Sequence, residues 1–260
     1  TTIGDLAFCW CESLTSVTIG DSVTTIGEGT FAYCESLTSV TIPDSVITIG
    51  ECAFEYCSSL TSVTIGDSVT TIGESAFEDC SSLTSVTIPD SVTTIGYEAF
   101  CECRSLTSVT IPDSVTTIGN SAFSSCTSLT SVYCKATTPP DEGFYMFYKN
   151  ASDLKIYVPM ESVEAYKSAS YWSSYADAIV GYNFENGVAV TPKPAANEIW
   201  YTTTDGEMAS VYNIEHIVKS CVGSYYTHYY DETNGVWVLR FDDLEKLWKF
   251  PNVDYQWFFS

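Results

Sequence analysis

Cysteine recurs in this 260-residue chain at a fixed step: Cys11, Cys34, Cys57, Cys80, Cys103 and Cys126 stand 23 residues apart. If the units that carry them stack in register, neighbouring Cα atoms come within about 5 Å, inside the range a disulfide spans. The same slot suits a small buried apolar side chain. The count favours this second reading, because Cys9, Cys52, Cys101, Cys134 and Cys221 fall outside the ladder and a total of 11 is odd, unlike a disulfide framework. A metal site needs convergent ligands, and Cys9-x-Cys11 and Cys101-x-Cys103 have no histidine near them, so no metal is expected through cysteine.

A second column, Asp21, Asp44, Asp67, Asp90 and Asp113, places like charges about 5 Å apart along such a stack. The row could offer Ca2+ several oxygen ligands. The simpler expectation is that each carboxylate accepts backbone N–H groups in its turn and stays solvated, with no cofactor bound. Hydroxyls form a third set, Ser16, Ser39, Ser62, Ser85, Ser108 and Ser131 beside Thr18, Thr41, Thr64, Thr87 and Thr110. Stacked hydroxyls at strand spacing are also the pattern of an ice-binding face, but threonine simply suits an exposed strand. Together with Tyr133 these residues are the candidate interaction surface. Catalysis has little support: both histidines, His216 and His228, lie late in the chain, and no GxSxG, HExxH, Walker or GxGxxG context is present. Cys221 and His228 as nucleophile and base would sit in an aromatic tail that fixes no geometry, so no enzyme is expected.

The elements that position these columns follow from the same step of 23, which also carries Ile3, Ile26, Ile49, Ile72, Ile95 and Ile118, each followed by Gly. Phe8, Phe31, Phe54, Phe77, Phe100 and Phe123 share it, as do Leu14, Leu37, Leu60, Leu83, Leu106 and Leu129, giving the unit TTIGxxxFxxCxSLTSVTI[PG]DSV. Val17 and Ile19 alternate with Ser16 and Thr18, the pattern of a short strand with one buried face. Pro43-Asp44-Ser45 is turn chemistry that ends such a strand. Gly27 to Cys34 places small and aromatic residues near helical spacing, enough for a turn or two of helix. A single unit cannot bury enough surface to fold, so stability comes from stacking into a parallel ladder with a shared core, in which the Phe and Cys columns are structural.

The spacing Cys11-x-x-Leu14-x-x-Val17-x-Ile19, continuing to Val23-x-x-Ile26-Gly27-x-x-x-Phe31-x-x-Cys34, resembles the BspA-type leucine-rich repeat of bacterial surface proteins, with six copies over residues 1 to about 134. The resemblance implies an α/β, right-handed solenoid, its LTSVTI strands on the concave side and its Ala-Phe segments on the convex side. It also implies adhesion to host extracellular-matrix or plasma proteins, or to other bacteria, and an extracellular or cell-surface location. The copies vary at Glu28-Gly29, Glu51-Cys52, Glu74-Ser75 and Tyr97-Glu98 and around Tyr33, Tyr56, Asp79 and Glu102, so any difference in function between copies falls on the convex side and edges.

The array degenerates after Tyr133 and Cys134, and residues 135–182 read as a closing cap with a strand from Leu154 to Pro159. Met160 to Tyr171 reads as an amphipathic helix whose apolar face continues through Trp172, Tyr175, Ala176, Ile179 and Val180 until Gly181 stops it. This segment resembles the closing sequence of gut Bacteroides members of the family. Thr1 falls mid-unit, which leads us to expect a fragment or a first strand that tolerates exposure. Residues 183–196 read as a linker and 197–260 as a small β-rich module whose Tyr225, Tyr226, Tyr229, Tyr230 and Trp237 serve either as packing or as a sugar-stacking surface.

Composition sets the outer bounds. With 33 acids against 10 bases the formal charge is -23, and Arg104 is the one base in the first 134 residues, which excludes nucleic acid as a partner. No apolar run approaches the roughly 20 residues of a membrane span. The reading is therefore a protein-interaction scaffold, with glycan capture through the C-terminal aromatics as the alternative.

Overall fold

The structure, a computed structural model, describes residues 1–141 and 143–184 in full and, beyond them, the backbone of four further strands. It divides into two compact units, Thr1–Val190 and Thr191–Ser260.

The first unit is a parallel β-solenoid of about eight turns. The second to sixth coils each contribute two short strands. One ladder runs through β1 (Thr2–Ile3), β2 (Thr25–Ile26), β4 (Thr48–Ile49), β6 (Thr71–Ile72), β8 (Thr94–Ile95) and β10 (Thr117–Ile118). The other runs through β3 (Ser39–Thr41), β5 (Ser62–Thr64), β7 (Ser85–Thr87), β9 (Ser108–Ile111) and β11 (Ser131–Cys134) into β12 (Lys155–Pro159) and β13 (Ile179–Asn183). Pairing is in register by the repeat, Thr48 against Thr71 and Val63 against Val86. Both ladders turn β-branched aliphatic residues inward, Ile49 and Ile72 from one, Val63 and Val86 from the other, and all four are buried. The first ladder was not apparent from the alternation pattern, because two residues are too few to alternate.

The segment from Gly27 to Cys34 is not helical. It is a run of tight turns in which every second N–H points along the solenoid axis: those of Gly29, Phe31 and Tyr33 donate to the carbonyls of Glu51, Ala53 and Glu55 in the next coil, each at 2.8 Å. The intervening residues close turns within the coil, Ala32 N–H to Gly29 O at 3.1 Å and Cys34 N–H to Phe31 O at 3.2 Å. This geometry requires positive φ twice per coil, at Cys52 and Tyr56, Ser75 and Asp79, Glu98 and Glu102. Left-handed backbone costs a non-glycine residue about 1 kcal/mol. A helix would satisfy its own N–H groups and leave the coils uncoupled; the turns spend that strain on a third inter-coil ladder.

Inside, the phenylalanines stack face to face, with 5.2 Å between the rings of Phe54 and Phe77 and again between Phe77 and Phe100. From Cys34 to Cys126 the cysteine column is buried, and it also has a polar task. The Cys57 thiol donates to Phe31 O, Cys80 to Phe54 O and Cys126 to Phe100 O, each at 3.2 Å. From the second coil to the sixth, the glycine after the isoleucine is a steric requirement: a Cβ on Gly73 would come within 2.6 Å of the Gly50 backbone.

The seventh coil is one residue longer. Asp141 bridges to Thr117, Phe147 stacks on Phe123 at 5.8 Å, and β12 pairs with β11 through Ser131 and Lys155. The helix expected over residues 160–171 is shorter: a 3-10 turn (Met160–Ser162), α1 (Val163–Ser168) and, after extended Ala169, a second 3-10 turn (Trp172–Tyr175). Tyr166 and Trp172 cover the open core, with the Tyr166 hydroxyl donating to Ala136 O at 2.8 Å and the Trp172 indole to Pro140 O at 2.9 Å. Ile179 and Val180 do not continue a helical face. They lie in β13, paired with Ile156 and Tyr157, and Gly181 sits inside that strand. Being β-branched, they extend the ladder and satisfy the edge of β12, which a helix could not do. β14 (Val188–Ala189) adds an antiparallel strand within the stretch expected as linker; much of the rest of that stretch lies outside the described residues.

The second unit holds a three-stranded antiparallel sheet, β15 (Glu198–Tyr201), β17 (Val236–Phe241) and β16 (Tyr226–Asp231) in that order. Among the described residues, no helix is long and apolar enough to cross a membrane.

Candidate interaction surface

The second ladder presents the expected hydroxyl columns. Ser39, Ser62, Ser85 and Ser108 and, two residues on, Thr41, Thr64 and Thr87 are exposed, while Thr110 and Ser131 are half-buried. Ser16 joins by a single bridge to Ser39, and Thr18 is exposed just outside it. A neighbouring threonine column is engaged by the protein itself: Thr61 Oγ1 donates to Thr38 O at 3.0 Å and Thr84 Oγ1 to Thr61 O at 3.3 Å. The strand hydroxyls make no such bonds with the described residues.

At the C-terminal end the same column turns aromatic. Tyr133 and Tyr157 stack at 4.8 Å, and Tyr182 lies edge-on to Tyr133 at 5.2 Å and tilted to Tyr157 at 5.3 Å, with Phe184 at 4.9 Å beyond it. Burial raises the Tyr157 phenol, with Tyr133 and Tyr182 adding to the shift. Lys155 takes the serine slot beside them. The sequence singled out Tyr133 alone. Tyr157 and Tyr182 escaped it because the step from Tyr133 to Tyr157 is 24 residues, which breaks the period.

The other candidates sort by geometry. The aspartate column is exposed, and Asp44 Oδ1 accepts the Asp67 N–H at 2.9 Å, so the carboxylate ties one coil to the next instead of closing its own turn. No three metal-binding side chains converge among the described residues. Burial pushes the Cys57 thiol up to about 12 and raises Cys80 and Cys103 well above 9.0, which leaves these sulfurs unreactive as nucleophiles at neutral pH. Cys11, in the first coil, is exposed. In the second unit Tyr226, Tyr229 and Tyr230 fall on β16, with Tyr230 opposite Trp237 and His228 opposite Leu239; Tyr225 and Cys221 lie outside the described residues.

The turn segments carry a dense set of carboxylates. Burial raises Glu78, a Ser75 hydrogen bond opposes the shift, and Glu98, Glu55 and Glu102 add to it; Glu55 is raised by burial too. A carboxyl whose folded pKa exceeds its unfolded one holds its proton more tightly when folded. Its folded-state preference is therefore greatest at low pH and is lost as pH rises from about 4.5 through the folded value. The melting temperature is accordingly expected to fall as pH rises above about 4.5, and Glu78→Gln should flatten that slope more than Glu12→Gln at an exposed position. Equal slopes in the two variants would show that overall charge, and not this cluster, sets the dependence.

A stack of 23-residue coils with a parallel strand ladder and a repeating Leu-x-x-Val-x-Ile core defines a leucine-rich repeat solenoid. The BspA type leucine rich repeat region matches residues 1–130 in six copies, and the chain belongs to that family. Among solved structures it is similar to the leucine-rich repeat protein of T. pallidum, with 32% identity and a TM-score of 0.51 over 55% of this chain and 66% of that one. A leucine-rich repeat protein from Bacteroides ovatus shares 25% identity over 60% of this chain and 58% of its own, with a TM-score of 0.37. A leucine rich cell surface protein from Faecalibacterium prausnitzii shares 26% over 69% and 68%, at a TM-score of 0.32. The chain thus spans somewhat under two thirds of the first two proteins. No curated protein matches it.

Proposed function

We propose that this chain is a non-catalytic scaffold displayed outside the cell, where it binds protein partners through the strand face of its solenoid. The Tyr133, Tyr157 and Tyr182 cluster at the end of the hydroxyl columns carries the reading. Tyrosine brings large contact area at low entropic cost, and partly exposed rings beside free hydroxyls make an anchor with an adaptable polar surround. A leucine-rich repeat array of this kind holds an extended surface without moving parts. Adhesion to host extracellular-matrix or plasma proteins, or to other bacteria, is the function proposed from family membership. Glycan capture by the second unit is the competing reading, favoured by the placement of Tyr230 opposite Trp237 on adjacent strands.

Binding of the full chain to immobilised matrix and plasma proteins, and to a panel of oligosaccharides, separates the two. Tyr157→Ser with Tyr182→Ser is expected to weaken protein binding by about tenfold or more, whereas Tyr230→Ser with Trp237→Ala should have no effect there. Oligosaccharide binding that is lost only with the second pair would replace the first reading by the second.

A further inference from the structure

The largest group of exposed aromatic side chains in the described C-terminal coils belongs to neither surface discussed so far. It lies on the turn segment of the seventh coil and the cap: Phe144, Tyr145, Tyr148 and Tyr171 are 55%, 63%, 49% and 38% exposed. Phe144 lies 4.4 Å from Tyr171 and 6.4 Å from Tyr145, and Tyr145 lies 5.2 Å from Tyr148, ring centre to ring centre, so the four form one patch. The third inter-coil ladder fixes their places. Ser121 N–H reaches Phe144 O at 2.8 Å and Ser125 N–H reaches Tyr148 O at 2.7 Å, while Tyr145 and Lys149 take the two positive-φ slots.

The same slots hold carboxylates in the third to fifth coils, Glu55, Glu74, Glu78, Asp79, Glu98 and Glu102, all at least partly exposed. Among the described residues Arg104 is their one ion-pair partner, bonded to Glu102 and 3.8 Å from Asp79. In the sixth coil Asn120, Ser121, Ser124 and Ser125 put only short side chains between the acidic slots and the aromatic ones. Coils follow at about 4.8 Å, so from Glu55 to Tyr148 the surface runs about 20 Å along the axis, the length of roughly six extended residues.

We infer that this turn face is a second docking surface, which takes a cationic, extended polypeptide segment: its Lys and Arg side chains lie over the carboxylates of the third to fifth coils, and an Arg or aromatic residue anchors on the Phe144–Tyr145–Tyr148 patch. Charge selects this occupant. Close-set carboxylates with a single base repel anionic membranes and acidic proteins and attract a basic segment. The patch is suited to guanidinium stacking, and Lys149 already sits over the Tyr148 ring, 5.3 Å from its centroid. Each slot recurs once per coil, so the carboxylates form a row about 4.8 Å apart along the axis, within reach of the long, flexible Lys and Arg side chains of a segment laid over it. The surface is built from the turns and is separate from the strand face proposed above.

The test uses the full chain and a fluorescent peptide of about twelve residues, rich in Arg and carrying one Trp, with a version in which Glu replaces Arg and a neutral oligosaccharide as comparisons. The Arg peptide is expected to bind. Its affinity should fall about tenfold or more in Phe144→Ser/Tyr145→Ser/Tyr148→Ser, and again in Glu55→Gln/Glu78→Gln/Glu98→Gln. It should also fall steeply between about 50 and 300 mM salt. The replaced aromatics are exposed, so the melting temperature is the control for folding, and Tyr145→Ser alone serves if the triple variant is unstable. No binding of the Arg peptide, equal binding of the Glu peptide, indifference to either variant or to salt, or oligosaccharide binding lost with the aromatic variant would each overturn the proposal.

Discussion

Gly73→Ala is expected to destabilise the solenoid by about 3 kcal/mol or more, at the upper end of overpacking costs, although a single methyl group is added. In a turn with open space the same change would stabilise by roughly 0.4–1 kcal/mol, because alanine restricts the unfolded chain. Here the methyl would lie 2.6 Å from both Gly50 C and Gly50 O and 2.8 Å from the Glu51 N, all of them backbone atoms that cannot rotate away. Relief requires the fourth coil to move off the third, and that pulls on the Gly73 N–H bond to Ile49 O at 3.0 Å and on the Thr48–Thr71 and Ile49–Ile72 pairs beside it. Gly4 holds the same slot in the first coil and has nothing within 4 Å of its would-be Cβ. Gly4→Ala should be neutral or slightly stabilising, within about 0.5 kcal/mol. Chemical denaturation of the two variants measures the difference. Similar values for both would mean that the glycine column is kept for turn conformation and not for the approach of one coil to the next.

The comparison also shows which parts of the fold were legible in the sequence. The isoleucine, phenylalanine, cysteine and leucine columns recur without exception over six copies, and a constant step can only mean stacked, identical environments. The Ser-Val-Thr strand was readable because three residues suffice to alternate. The ladder through Thr48–Ile49 and its counterparts was not, since two residues have no period. The turn segment misled for a different reason. Its small and aromatic residues fall near helical spacing, but left-handed backbone at Tyr56, Asp79 and Glu102 leaves no compositional mark when inter-coil hydrogen bonds, and not glycine, sustain it. The binding face was legible only as far as the period held. Tyr133 stood out as a break in a threonine column, whereas its partners belong to coils of altered length: Tyr157 is joined to it by the pairing of β11 and β12, and Tyr182, on β13 opposite Pro159 of β12, only by ring contact with both.

The phenylalanine column carries the second large expectation. Phe77→Ala removes a fully buried ring flanked at 5.2 Å on both sides, whereas Phe8 stacks on Phe31 alone and is 39% exposed. A buried Phe→Ala change costs about 3–5 kcal/mol, and each lost ring pair adds about 0.5–1.5 kcal/mol. Phe77→Ala should therefore lie at or above the upper end of the first range, and Phe8→Ala at about 2 kcal/mol, since 39% of its surface is already in water. The consequence for cooperativity is larger than the difference in energy. A coil owes its stability to its two neighbours, so a defect in the fourth coil weakens the coupling between the first three and those that follow. In Phe77→Ala, hydrogen exchange should show the Gly29, Phe31 and Tyr33 amides opening at lower free energy than those of Phe100, Phe123 and Ser125, although all six bond to the next coil in the same way. In Phe8→Ala the two sets should stay together. Uniform loss of protection in Phe77→Ala would show instead that the array unfolds as one block, and that the cap, through Tyr166 and Trp172, stabilises coils far beyond those it touches.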